Sequence, residues 1–156
     1  MATKKQDRGE LYVLAQAFLL IALFFGPSYL FGQPAAMNHS LWVAGKALFY
    51  IGLGIALWGA ILLGPNLTPM PRPKSNGQLI QNGLYRYVRH PIYLGVILLS
   101  FGWAASEQNL YTLIVAILLL IFFDLKSRKE EEWLREQFKD YAEYQQKTKK
   151  LIPFIY

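Results

Sequence analysis

Residues 41–64 read LWVAGKALFYIGLGIALWGAILLG, and Lys46 is the only charge among them. A helix that crosses a bilayer needs roughly 20 consecutive apolar residues, so this stretch predicts a membrane span. Lys46 lies near one end, where its stem can carry the ammonium to the interface. Gly52, Ala56, Ala60 and Gly64 recur at every fourth position and predict a smooth stripe where a second helix approaches closely. Gly52-Leu53-Gly54 is no dinucleotide fingerprint, because no strand precedes it and the spacing after it is wrong.

Three further apolar runs flank this one. Residues 11–31 carry no charge. A signal peptide has an apolar core of about 7–15 residues, so a run this long after a basic start predicts a retained span. Gly26-Pro27 predicts a kink in it. Residues 91–105 and 110–123 are shorter and are joined by Ser106-Glu107-Gln108-Asn109, which predicts a helical hairpin. Such short spans lengthen through their flanks or thin the bilayer locally. The fold class expected is all-α: a polytopic membrane helical bundle of four transmembrane helices in a single domain, residues 1–156. A polar loop over 65–90 and a C-terminal amphipathic helix over 124–147 complete it, with Leu134, Phe138 and Tyr141 at helical spacing among charges.

The charges set the topology. The N-terminal tail carries Lys4, Lys5 and Arg8, and the connection over 32–40 carries no lysine or arginine. The second connection holds Arg72, Lys74, Arg86 and Arg89, the third holds none, and the C-terminal segment holds the remaining cluster. This alternation puts both termini and the proline-rich loop in the cytosol. It also accounts for the net charge of +6 without nucleic acid as a partner. Small size leans the localisation toward a prokaryotic plasma membrane. Cysteine is absent, which excludes disulfides, a thiolate metal site and a cysteine nucleophile. His39 and His90 are far apart in the chain, so no metal site is expected.

Polar chemistry concentrates at the cytosolic ends. Pro65, Pro69, Pro71 and Pro73 forbid a regular helix at the start of the loop, and Asn76-Gly77 and Asn82-Gly83 signal turns. In the run Gly83-Leu84-Tyr85-Arg86-Tyr87-Val88-Arg89-His90-Pro91-Ile92-Tyr93, Pro91 suits the first position of a helix. His90, before a proline, is pushed to extended backbone. The run therefore delivers Arg89 and His90 to a helix N-terminus, where an anion is favoured. The tyrosines supply rings that can face a cation. An aromatic and arginine belt at the headgroups uses the same residues. Further on, Lys126 and Glu130 share a helix face, as do Glu131 and Arg135. An ordinary charged helix leaving the membrane reads the same way as a cation for an anionic substrate beside a carboxylate for ribose hydroxyls.

The motif Gly83-x-Tyr85-x-x-x-Arg89-His90-Pro91-x-Tyr93-x-Gly95 resembles the signature of the isoprenylcysteine carboxyl methyltransferase and phospholipid methyltransferase superfamily. Phe122-Phe123, Glu130-Glu131-x-x-Leu134, Phe138, Tyr141-x-x-Tyr144 and Ile152-Pro153 follow in that superfamily's order. The resemblance covers about residues 66–156. It implies S-adenosylmethionine as cofactor, bound by Gly77, Gln78, Leu79, Ile80 and Tyr85, by His90, Pro91, Ile92 and Tyr93 around its methionine end, and by Glu130. Lys126 and Arg89 are the expected substrate-binding residues; the sequence marks no catalytic residue. The partners expected are the bilayer and a lipophilic or lipid-modified acceptor.

Two departures stand out. Members acting on prenylcysteine carboxylates tend to have arginine where this chain has Lys126, and a lysine is a point charge rather than a bidentate fork. Phe138-Lys139-Asp140-Tyr141 is one residue shorter than the usual spacing. The competing readings are an NADPH-dependent membrane reductase of the sterol reductase type and a non-catalytic lipid-binding membrane protein.

Overall fold

A computed structural model describes residues 9–26 and 37–156. The basic tail Lys4, Lys5 and Arg8, the kink expected at Pro27 and most of the first connection lie outside the described residues. Five α-helices run in the order α1 (Glu10–Phe25), α2 (His39–Leu63), α3 (Pro91–Glu107), α4 (Leu110–Gln137) and α5 (Tyr141–Lys147), with 3-10 turns at Gly64–Asn66 and Gly83–Arg86. Among the described residues the only β-type pairing is a single parallel bridge between Val88 and Lys149. The all-helical expectation therefore holds.

By length and composition α2 and α4 can cross a membrane, and α1 and α3, of 16 and 17 residues, are apolar but shorter. The outward faces carry large apolar side chains, among them Phe18, Ile21, Trp58, Ile61, Leu118 and Ile121. Asn38 caps α2 by accepting from the Leu41 N–H at 3.0 Å, and Asn109 caps α4 by accepting from Tyr111 at 2.8 Å. Gln108, left-handed at φ 50°, ends α3 and exchanges two hydrogen bonds with the Asn38 backbone at 2.9 and 2.8 Å. One polar tie thus joins the start of α2 to the α3–α4 turn.

The α2–α3 contact is glycine-lined, but not along the expected stripe. Gly45, Gly52 and Gly59, one heptad apart, are the buried positions of α2. A Cβ on Gly52 would meet the Leu99 nitrogen at 2.4 Å, and one on Gly102 would meet the Phe49 nitrogen at 2.3 Å. Gly95 faces Ala56 in the same way. Of the predicted stripe, Gly52 and Ala56 make the contact. Gly64 does not; it sits at φ 51°, where it ends the helix with nothing near its missing Cβ. Lys46 places its ammonium over the rings of Trp42 and Trp103, at 5.8 and 4.7 Å from their centroids.

Helix α4 corrects a second expectation. The apolar run 110–123 and the charged stretch beyond Asp124 are one continuous helix to Gln137. No glycine or proline interrupts it, and a change in polarity is no reason for a helix to end. The chain breaks at Phe138, and α5 is the short helix that follows. Leu119 and Phe123 of α4 pack with Leu23 of α1, Ile97 of α3 and Leu151 of the C-terminal turn in one buried cluster.

Candidate functional site

At the polar end of the bundle, the proline-rich loop, the starts of α1 and α3 and the polar half of α4 enclose a cavity of about 340 Å³. Small-molecule sites are typically clefts of about 300–1,000 Å³. The loop is held in shape by its own polar groups. Gly77 N–H donates to the Lys74 carbonyl at 2.9 Å, Gln78 N–H donates to Asn66 Oδ1 at 2.8 Å, and Gln137 from α4 donates to the Lys74 carbonyl at 2.7 Å. Gly77, Gln78, Leu79 and Ile80 thereby form one wall.

Most of the residues singled out in the sequence meet here. Tyr85, Arg89, His90, Ile92 and Tyr93 line the cavity from the loop and the start of α3, and Lys126 and Glu130 line it from α4. Pro91 does not. Its ring is fully buried at the first turn of α3 and borders a separate apolar crevice with Val88 and Phe154. Pro91 shapes the site by setting the helix start, not by facing the cavity.

The aromatic wall is layered. The His90 and Tyr93 rings stack at 5.3 Å with 1° between their planes, and Phe123 packs on Tyr93 at 4.8 Å. The Tyr93 hydroxyl donates to Glu130 Oε2 at 2.5 Å, which fixes one carboxylate oxygen. Tyr85 donates to the Gly59 carbonyl at 3.3 Å, and its own carbonyl accepts from Tyr144 at 2.5 Å. Burial raises the phenol pKa of both tyrosines, so they stay protonated donors.

Lys126 and Glu130 share a helix face, as their spacing requires, yet they are not ion-paired. Lys126 is 2% exposed. Its ammonium donates to Gln16 Oε1 at 2.6 Å and to the Pro69 carbonyl at 3.2 Å, and it lies 5.2 Å from the Tyr93 centroid. No carboxylate among the described residues is within ion-pair distance of it. Burial lowers its pKa, with the nearby Glu130 charge opposing. Arg128, one turn from the cavity, is exposed and paired with Asp124 at 2.7 Å, so it does not substitute for Lys126.

Arg89 is a clamp. Its Nε donates to Glu131 Oε1 at 2.7 Å, and its Nη1 donates to the carbonyls of Gln145 and Thr148. His90 Nε2 reaches the same Glu131 oxygen at 3.2 Å, and Gln145 donates to the other at 2.9 Å. The expected pairing of Glu131 with Arg135 is therefore absent, because Glu131 faces the bundle and is only 5% exposed. Burial alone would raise the Glu131 pKa; hydrogen bonds from His90 and Arg89 outweigh that and hold it at about 2. The network locks the start of α3 to α4 and α5.

Gln16 and Tyr141 are among the lining residues not singled out as site candidates. Gln16 is on α1, in an apolar helix with no local sign of a partner. Tyr141 is 1% exposed, lines the cavity and leaves its hydroxyl without a hydrogen-bond partner.

The family model for phospholipid methyltransferases matches residues 40–141. This chain belongs to the phospholipid methyltransferase family. The match spans α2 to the first residue of α5, and so contains every predicted site position. Among relatives of this family member, the protein-S-isoprenylcysteine O-methyltransferase of Saccharomyces cerevisiae is 30% identical over 96% of this chain and 66% of its own length. A probable protein-S-isoprenylcysteine O-methyltransferase of Oryza sativa subsp. indica is 30% identical over 94% of this chain and 90% of its own. The 3-oxo-5-alpha-steroid 4-dehydrogenase 1 of Mus musculus is 28% identical over 76% of this chain and 44% of its own. A solved eukaryotic intramembrane Ras methyltransferase, isoprenylcysteine carboxyl methyltransferase, superposes with a TM-score of 0.70 at 23% identity. That superposition covers 97% of this chain and 55% of the other, and it establishes the shared fold. The chain thus spans from about half to nine-tenths of the length of these proteins. With its apolar outer surface, this phospholipid methyltransferase family member is an integral membrane protein.

Proposed function

We propose that this chain is an S-adenosylmethionine-dependent methyltransferase acting on a lipophilic or lipid-modified acceptor, with an isoprenylcysteine-type carboxylate as the representative class. The observation that carries the reading is the single cavity walled by Gly77 to Ile80 on one side and by Tyr93, Glu130 and Lys126 on the other. The residues suit the cofactor. The Glu130 carboxylate, with one oxygen on Tyr93, can accept from a ribose hydroxyl or an ammonium. The stacked His90 and Tyr93 rings offer π faces to a sulfonium. The unpartnered Tyr141 hydroxyl is a buried donor of the kind a bound ligand satisfies.

When bound, the cofactor supplies an activated methyl group for in-line displacement. The protein's own part is positioning and exclusion of water. Leu79, Ile80, Leu134 and Phe138 line the cavity with apolar surface, and the loop ties from Asn66 and Gln137 hold that wall in place. Lys126 offers the acceptor a positive charge. A carboxylate acceptor needs no general base.

In this reading the bundle spans the membrane four times, with residues 65–90 and the polar half of α4 on the cytosolic side of a prokaryotic plasma membrane. The cofactor then enters from the cytosol and the acceptor sideways from the lipid. The test is transfer of labelled methyl from S-adenosylmethionine to S-farnesyl-N-acetylcysteine by protein in lipid vesicles, with N-acetylcysteine as the untailed control. Methylation of the farnesylated probe alone supports the reading. Equal methylation of both probes contradicts it.

The match to a steroid 4-dehydrogenase favours one second reading, a nicotinamide-dependent reductase on the same scaffold. Binding of NADPH without binding of S-adenosylhomocysteine would select it.

A further inference from the structure

Helix α1 is apolar from Leu11 to Phe25 except for Gln16. A primary amide in a membrane helix costs free energy unless it is hydrogen-bonded. Gln16 uses its oxygen on the Lys126 ammonium at 2.6 Å, and both residues line the cavity. The start of α1 is anchored beside the site as well. Gly9, at φ 82°, packs so closely on the Pro71 ring that a Cβ there would approach Pro71 Cγ to 2.5 Å.

The geometry around Lys126 is asymmetric. An ammonium has three donors. Gln16 and the Pro69 carbonyl, both neutral, take two of them from two different elements. Neither neutralises the charge, and Glu130 has one oxygen engaged by Tyr93 instead. A lysine fixed by two neutral acceptors keeps its charge and one N–H for a third, anionic partner. A carboxylate in place of Gln16 would cancel that charge.

We propose that Gln16 is a positioning residue for acceptor recognition. By holding Lys126 through a neutral hydrogen bond, it lets the ammonium select an anionic acceptor group over a neutral or amine one. This rests on the methyltransferase reading above and extends it to α1, outside the stretch matched by the family model.

The experiment is calorimetry on detergent-purified protein loaded with S-adenosylhomocysteine. It compares S-farnesyl-N-acetylcysteine with its neutral carboxamide, in wild type, Gln16→Glu and Gln16→Asn. Wild type is expected to prefer the carboxylate by about tenfold or more, the scale of a charge-assisted hydrogen bond. Gln16→Glu is expected to remove that preference, because the new carboxylate pairs with Lys126. Gln16→Asn, shorter but neutral, is expected to retain part of it. A Gln16 that only solvates a buried lysine predicts full wild-type preference in Gln16→Asn, and that result overturns the proposal, as does unchanged preference in Gln16→Glu or a wild type without preference. Failure of wild type to bind S-adenosylhomocysteine would instead reject the methyltransferase reading.

Discussion

Arg89 and Glu131, 42 residues apart, are joined at 2.7 Å at the point where α3, α4 and the C-terminal turn converge. The pair is almost completely withdrawn from solvent, with side chains 10% and 7% exposed. Removing one partner of a buried pair strands the other charge, at a cost of about 3–5 kcal/mol. Arg89→Ala and Glu131→Ala are each expected to destabilise the fold on that scale, read as thermal unfolding in detergent. The double variant should cost less than the sum. Additive effects would show that the pair is not a clamp.

The same carboxylate predicts a pH dependence. Its folded pKa of about 2 lies below its ordinary 4.5. A depressed pKa contributes stability above the unfolded value and loses it as pH falls through the folded value. Unfolding temperature should therefore decline between roughly pH 5 and pH 2. Glu131→Gln should flatten that part of the profile, and an unchanged slope in the variant would refute the assignment.

At the α2–α3 contact, Gly52→Val drives a side chain into the Leu99 backbone, whereas Gly54, on the same helix, has nothing within 4 Å of its missing Cβ. Overpacking of this kind costs about 1–3 kcal/mol or more. Gly52→Val should unfold early while Gly54→Ala remains close to wild type in the same thermal assay. Equal behaviour would mean that the helices do not approach through Gly52.

Tyr141 separates ligand binding from stability. Its hydroxyl has no partner. Tyr141→Phe should leave the ligand-free protein as stable or slightly more so, because a buried unsatisfied donor is removed. It should weaken S-adenosylhomocysteine binding by roughly three- to tenfold, the scale of one hydrogen bond. Unaltered affinity would place the cofactor away from Tyr141.

Much of this was legible in the sequence where the signal is local. Pro91 marks its own helix start, and the residue before it is forced out of helical backbone, so the Arg89-His90-Pro91 corner could be read directly. The apolar runs over 11–31 and 41–64 announce themselves by length, and those over 91–105 and 110–123 by composition. Contacts chosen by a distant partner were not legible. Two small-residue stripes exist on α2, and Gly45 and Gly52 make the contact because Gly102 and Gly95 face them, while Gly59 packs on Pro91 and Ile92. Glu131 has Arg135 within local reach, yet it faces Arg89 and His90 instead. Gln16 meets Lys126 across 110 residues, with no local pattern to mark it. The separate helix expected over 124–147 is instead the continuation of α4 to Gln137 followed by α5, because a fall in hydropathy marks the edge of an apolar environment and not a helix boundary.

The cavity beneath the proline-rich loop is the proposed site of S-adenosylmethionine. Calorimetric titration of the detergent-purified protein with S-adenosylmethionine tests it most directly, with Glu130→Ala and Tyr85→Ala alongside. Saturable binding in wild type, weakened about tenfold or more in Glu130→Ala and reduced in Tyr85→Ala, is the predicted result. A folded wild type that binds no S-adenosylmethionine, or binding indifferent to both substitutions, would contradict it.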